Sequence, residues 1–220
     1  MVPGGLGDPR DAAPEPGWIA PELAEEFPGL GLSATTVEAA PGRSPAALKG
    51  RLRELSDRFR GAQAINLRQQ PIPWAYRVFF RHIGLDPDTT RTPVEQLALD
   101  RMHDGRFKSR GRPADALTVA MAETGVAVQA FDADRLSGRL GLRLSADGEP
   151  FEGRVSPLPP GTIVIADEDR ALAVLFGAVA ASTQPSRDTG RIALAAIRVD
   201  GVPDMSLEEA LWLAASALLA

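Results

Sequence analysis

The chain has no cysteine among its 220 residues. Disulfides, thiolate metal sites and cysteine nucleophiles are therefore excluded, and any chemistry falls to carboxylates, amides, hydroxyls, imidazoles and guanidiniums. One stretch that sets such groups beside an apolar element is residues 122–138, AETGVAVQAFDADRLSG. A helix ends at Gly125, a short apolar strand follows, and the strand runs into Asp132 and Asp134. Aspartates between a strand and a turn are turn formers or N-caps. Read as chemistry they would be a carboxylate pair, but a hard metal wants three or more acidic ligands, and that spacing is absent. Gln129, in the middle of the strand, cannot titrate. Its amide can donate and accept hydrogen bonds and so orient a ligand or a water.

The only histidines are His82 and His103. They stand in different helical segments and form no HExxH, so no metal site is expected. His82 falls at the C-terminal end of its helix, where a cation is favoured. There is no GxSxG, no Walker loop and no strand-linked GxGxxG, and GGLG at residues 4–7 reads as a flexible tail. No cofactor is expected. The loop GRFKSRGR, residues 105–112, gathers Arg106, Lys108, Arg110 and Arg112. It reads either as a salt-sensitive clamp on RNA phosphates or as a solvated loop, and the acidic balance of the whole chain favours the second. Phe107 is its only aromatic, which leaves little platform for base stacking.

The elements that must position these residues follow from periodicity and punctuation. Residues 1–17, rich in Pro and Gly, read as a disordered lead-in, and 18–220 as a single domain. IAPELAEEFPGL gives a short helix stopped by Pro28, and GLSATTVEAA a strand. Ser44-Pro45 reads as an N-cap and first turn, with Leu48, Leu52, Leu55 and Phe59 at helical spacing behind it. Pro71 and Pro73 open PIPWAYRVFFRHIG. Thr92-Pro93-Val94-Glu95 is a capping box, and Pro113 starts PADALTVAMAETG. The grammar then changes to short apolar runs: VAVQAF, RLGLRL, GTIVIAD, RALAVLF and RIALAAIR. Ser206-Leu207-Glu208-Glu209 reads as a second capping box before a closing helix. Helices first, strands second and one final helix argue an α+β fold, with N-terminal helices packed on a mostly antiparallel β core.

An apolar fraction of 44% supports a sizeable core. A formal charge of −5 argues against a DNA-binding protein. No apolar run approaches the length of a membrane span, and the N-terminus lacks the basic and apolar regions of a signal peptide. The expectation is a cytoplasmic protein without a membrane partner.

From Trp18 onward the chain resembles the B3/B4 domain, the tRNA-editing module of the phenylalanyl-tRNA synthetase β subunit that also occurs as a free-standing protein. The residues carrying the resemblance are Trp74, Arg77, Gly84, Pro87, Arg91, Glu95 and Leu97. They are followed by ADALTVAMAETGVAVQAFDADRLSG and later by DTGRIALAAIR. The resemblance implies a B3/B4-type fold, a mischarged aminoacyl-tRNA as partner, and a cleft that hydrolyses a wrong aminoacyl ester with a positioned water. It implies Gln129, Thr118 and Asp115 as the residues around that water. Arg77, Arg112, Gly177 and Thr189 would bind the substrate, and Arg106, Lys108 and Arg110 the RNA phosphates. The sequence departs from the family pattern inside the cleft. The pocket histidine falls on Gln129, the helix asparagine on Thr118, and a pocket glutamate on Ala195. Three functions follow: a trans-acting aminoacyl-tRNA deacylase, a non-catalytic RNA-binding module, or a binder of an amino-acid-like small molecule in the former editing cleft.

Overall fold

The computed structural model describes residues 13–59 and 66–220. The strands are β1 (Glu15–Pro16), β2 (Trp18–Ile19), β3 (Gly31–Glu38), β4 (Val128–Asp132), β5 (Gly141–Leu144), β6 (Ile163–Ala166), β7 (Ala171–Val174) and β8 (Arg191–Arg198). The helices are α1 (Pro21–Glu26), α2 (Ala46–Arg58), α3 (Pro71–His82), α4 (Pro93–Asp104), α5 (Arg112–Thr124) and α6 (Asp204–Leu219). Proline stands in the first turn of α1, α3, α4 and α5, where its missing N–H has no helical partner to lose. Gly125 closes α5 in the left-handed region, as the ETG pattern implies.

The strands form two four-stranded sheets, ordered β1-β3-β8-β4 and β2-β5-β6-β7. All neighbours are antiparallel except β2 with β5. The α+β expectation holds, with the β core divided in two. The chain steps from the first sheet to the second at Gly17. A Cβ there would stand 2.7 Å from both the Leu140 carbonyl oxygen and the Leu32 side chain, so only glycine fits.

In β8 Ile192 to Ile197 are all buried, without alternation. Such a run means both faces of the strand are covered. Because directly paired residues share a face, the register defines two sides of the first sheet. Leu194, Ala196, Val128 and Ala130 lie on one, toward α5 and α6. Ala34, Ala193, Ala195 and Gln129 lie on the other, here called the inner face. Alanine-rich α6 buries Leu207, Ala210, Leu211, Ala214 and Leu218.

Three local readings are corrected. Residues 1–12, GGLG included, lie outside the described residues, but Glu15 and Pro16 of the expected lead-in are strand β1, paired to Ala34 and Ser33. Backbone pairing to an edge strand needs no apolar side chain, so composition carried no trace of it. Ser44 does not cap α2, whose N-cap is Pro45 without a side-chain hydrogen bond. Its hydroxyl is drawn instead to Asp115. Helix α6 starts at Asp204, behind Pro203, rather than behind Ser206; the Ser206 N–H already bonds to the Pro203 carbonyl at 3.0 Å, inside the first turn. The Thr92–Glu95 capping box forms as expected.

Candidate functional site

Asp115 sits in the first turn of α5 with no exposed surface. One carboxylate oxygen accepts from Ser44 Oγ at 2.5 Å and from Ser109 Oγ. The other accepts the Arg110 backbone N–H at 2.8 Å. Three donors on two segments thus converge on one carboxylate, which pins residues 109–110 and the entry to α2 onto α5. Thr118, one turn further on, donates its hydroxyl back to the Ala114 carbonyl at 2.9 Å. Both residues are engaged in scaffolding. No hydrogen bond joins either to Gln129, which belongs to the opposite, inner side of the sheet.

Gln129 is half-buried on β4. Its Nε2 donates to the Gly177 carbonyl at 3.3 Å. That acceptor fixes the amide orientation, and Oε1 is left buried without a hydrogen-bond partner among the described residues. A buried acceptor of this kind awaits an ordered water or a ligand donor. Directly across the ladder stands Ala195. The two positions that the resemblance aligns with a pocket histidine and a pocket glutamate are therefore cross-strand partners, and Gly177 closes on the first of them. The turn carrying Gly177 is anchored by Phe176, whose ring packs against Tyr76, Phe79 and Phe80 of α3. Phe176 has φ 60°, the only positive φ at a non-glycine among the described residues. Strain of that kind persists only where surrounding packing enforces it. Tyr76 adds a second anchor, donating to the Ile197 carbonyl and accepting from the Ala127 N–H. Burial pushes its phenol far above the ordinary range, the Ala127 hydrogen bond opposing weakly, so it stays neutral.

The remaining expected binding residues are tied into the fold. Arg77 is 4% exposed and donates to Glu95 at 2.7 Å and to Asp88 at 2.8 Å. Burial opposes its charge, but the hydrogen bonds it donates to Asp88 and Glu95 outweigh that and hold the guanidinium pKa above its ordinary value. Arg112 reaches the Leu218 carbonyl at 3.5 Å, with its Nε buried and unpartnered. Thr189 donates to Asp132 at 2.6 Å and accepts from the Ser186 N–H. Asp132 also accepts the Asp134 N–H, capping the 3-10 turn at Ala133–Arg135. Asp134 is exposed and paired to Arg191 at 2.8 Å. The hydrogen bond from Arg191 lowers its pKa. The two aspartates are thus a cap and a surface residue rather than an acid–base pair.

Arg106, Lys108 and Arg110 line a cleft of about 150 Å³ together with Thr118. Asp100 and Asp104 line it too, and Lys108 is bound to Asp104 at 2.8 Å. The loop is therefore less positive than its sequence suggests, and its free cations are Arg106 and Arg110, which have no ion-pair partner among the described residues. Among those residues no group of three or more His, Asp or Glu side chains could hold a metal. No helix is long and apolar enough to cross a membrane.

Two α3–β8 landmarks, the aromatic seat of Phe176 and the Gln129–Ala195 pair, fall inside one recognised domain. The chain belongs to the B3/4 domain family, whose match runs over residues 75–203. It is also similar to the phenylalanine–tRNA ligase beta subunit of Methylococcus capsulatus, 35% identical over 94 residues. That match takes in 41% of this chain and only 12% of the subunit's length.

Proposed function

We propose that the protein acts on the aminoacyl end of tRNA as a trans-acting hydrolase. The observation that supports this is the unpartnered, buried Oε1 of Gln129, set beside Ala195 and Gly177 on the inner face. A water that donates to Oε1 is oriented without being deprotonated by it. Its oxygen bonds to the ester carbonyl carbon and gives up its protons to solvent, the bond from that carbon to the ribose oxygen breaks, and the ribose oxygen leaves with a proton supplied by solvent, so that a free carboxylate and a ribose hydroxyl result. The protein's contribution is position rather than acid–base exchange. Asp115 and Thr118 support the site through α5, and Arg106, Lys108 and Arg110 hold phosphates of the same tRNA. The test is single-turnover deacylation across a panel of mischarged tRNAs. At least one is hydrolysed faster than in buffer, and Gln129→Ala slows that reaction by about tenfold to a hundredfold. No acceleration with any tRNA overturns the proposal.

A second reading, an RNA-binding module without hydrolysis, is favoured by the unpaired Arg106 and Arg110. It requires affinity for tRNA that falls steeply with salt, and a log–log salt slope that drops by about 1 in Arg106→Ala. A flat salt response removes it.

A further inference from the structure

The inner face of the first sheet carries a second, separate feature. The ladder register aligns Glu15, Ala34, Ala195 and Gln129 as one row across all four strands. Gln129 ends the row at one edge and Glu15 at the other. Ala195 between them is completely buried, and neither it nor Gln129 lines the space at the Glu15 end. Beside Glu15 lies a cavity of about 250 Å³, floored by Ala34, Thr36 and Ala193 and walled by Leu136 and Arg139. Glu15, Ala34 and Thr36 precede the segment matched by the B3/4 domain.

The two charges at this cavity are unspent. The Glu15 carboxylate has no hydrogen bond and no ion pair among the described residues. Arg139 has no carboxylate partner among them, yet it is held firmly. Its Nη2 donates to the Pro16 carbonyl, and its own carbonyl accepts the Trp18 indole N–H at 2.8 Å. Glu15 is likewise fixed by the β1–β3 pairing. Opposite charges on facing walls of one cavity attract and pair when their side chains reach each other. These two are anchored beside the same cavity and do not meet. A ligand carrying both charges completes both sets of hydrogen bonds at once, and charge-assisted bonds are the strong ones. The floor is small and apolar, with one hydroxyl from Thr36.

We infer that this cavity is a binding site for a small zwitterion of the α-amino acid class. Its ammonium meets Glu15, its carboxylate meets the free N–H groups of Arg139, and its side chain lies on Ala34 and Ala193. An amino acid esterified to RNA lacks the carboxylate, so the site takes the free amino acid rather than the aminoacyl ester. It is independent of the Gln129 site.

The test is isothermal titration of the full chain with the twenty free amino acids, followed by two derivatives of the best binder: its amide, which lacks the carboxylate, and its N-acetyl form, which lacks the ammonium. At least one free amino acid binds saturably. Glu15→Gln and Arg139→Gln each weaken it by about tenfold or more, and the matching derivative loses no further affinity on the matching variant. Both substitutions are at exposed positions, and thermal melting of each variant reports that it is folded. Gln129→Ala leaves this binding unchanged while slowing deacylation, so failure of one site is distinguishable from failure of the other. The inference is overturned if no amino acid binds at millimolar concentration, or if binding survives both charge-removing substitutions or is abolished by Gln129→Ala.

Discussion

The Asp115 carboxylate and the inner face of the first sheet treat their hydrogen-bonding capacity in opposite ways. At α5 the Asp115 carboxylate gathers three donors. On the inner face Gln129 keeps a buried oxygen without a partner, and Glu15 and Arg139 line one cavity without pairing. A polar group that is fully satisfied inside the protein holds segments together and has nothing left to offer a ligand. A group left unsatisfied costs stability and is retained where something else completes it. Burial and charge alone would single out Asp115. Unmet hydrogen bonds mark Gln129 as the polar group with capacity to spare on the inner face, as they mark Arg112 Nε and Ser216 Oγ elsewhere.

Substitutions can break this contrast. The largest effect belongs to Asp115→Ala, which strands Ser44, Ser109 and the Arg110 N–H. It lowers stability in urea unfolding by about 3 kcal/mol or more. A loss under 1 kcal/mol would return Asp115 to the list of functional groups. Next is Arg77→Ala, which leaves the buried Glu95 carboxylate without its nearest cation. Arg68 remains at 3.2 Å from Glu95, so the expected loss is about 2 to 3 kcal/mol. The double variant Arg77→Met, Glu95→Gln recovers part of it.

A smaller effect concerns acid. Glu149 is paired to Arg143 at 2.6 Å, and the hydrogen bond from Arg143 lowers its pKa below the ordinary 4.5. A carboxylate depressed in the folded state contributes stability above about pH 4.5, and that contribution is lost as pH falls through the folded value. Glu149→Gln therefore flattens the fall in melting temperature below pH 4.5 and leaves its shape near neutrality unchanged. The smallest effect is Gln129→Leu, which replaces a half-satisfied amide. Its stability stays within about 1 kcal/mol of the parent, or rises, while the proposed hydrolysis of an aminoacyl ester falls. A loss as large as that of Asp115→Ala would show that Gln129 is scaffold too.

Much of the fold was legible in the sequence because its signals are local. Proline in the first turn marks α3, α4 and α5, the Thr92–Glu95 box caps α4, and Gly125 ends α5. The strands from VAVQAF to RIALAAIR carry their own punctuation. Ser44 and Ser206 misled because a serine before a helix reads the same whether it caps that helix or bonds elsewhere. The division into two sheets, and the Glu15–Gln129 row, depend on register between strands more than a hundred residues apart, which no local pattern encodes. For the same reason no local pattern connects Glu15 with Arg139. Each is ordinary in its own stretch, and only the pairing of β1 with β3 brings them to one cavity.

Strand β1 has one more consequence. It pairs with only Ser33 and Ala34 of β3, yet there it covers the outer edge of that strand. A chain trimmed to begin at Trp18 would present β3 as a bare edge, ready to pair with a neighbour. Such a truncation would change solubility and assembly as well as the ligand cavity, so this two-residue clip guards the sheet as well as furnishing it.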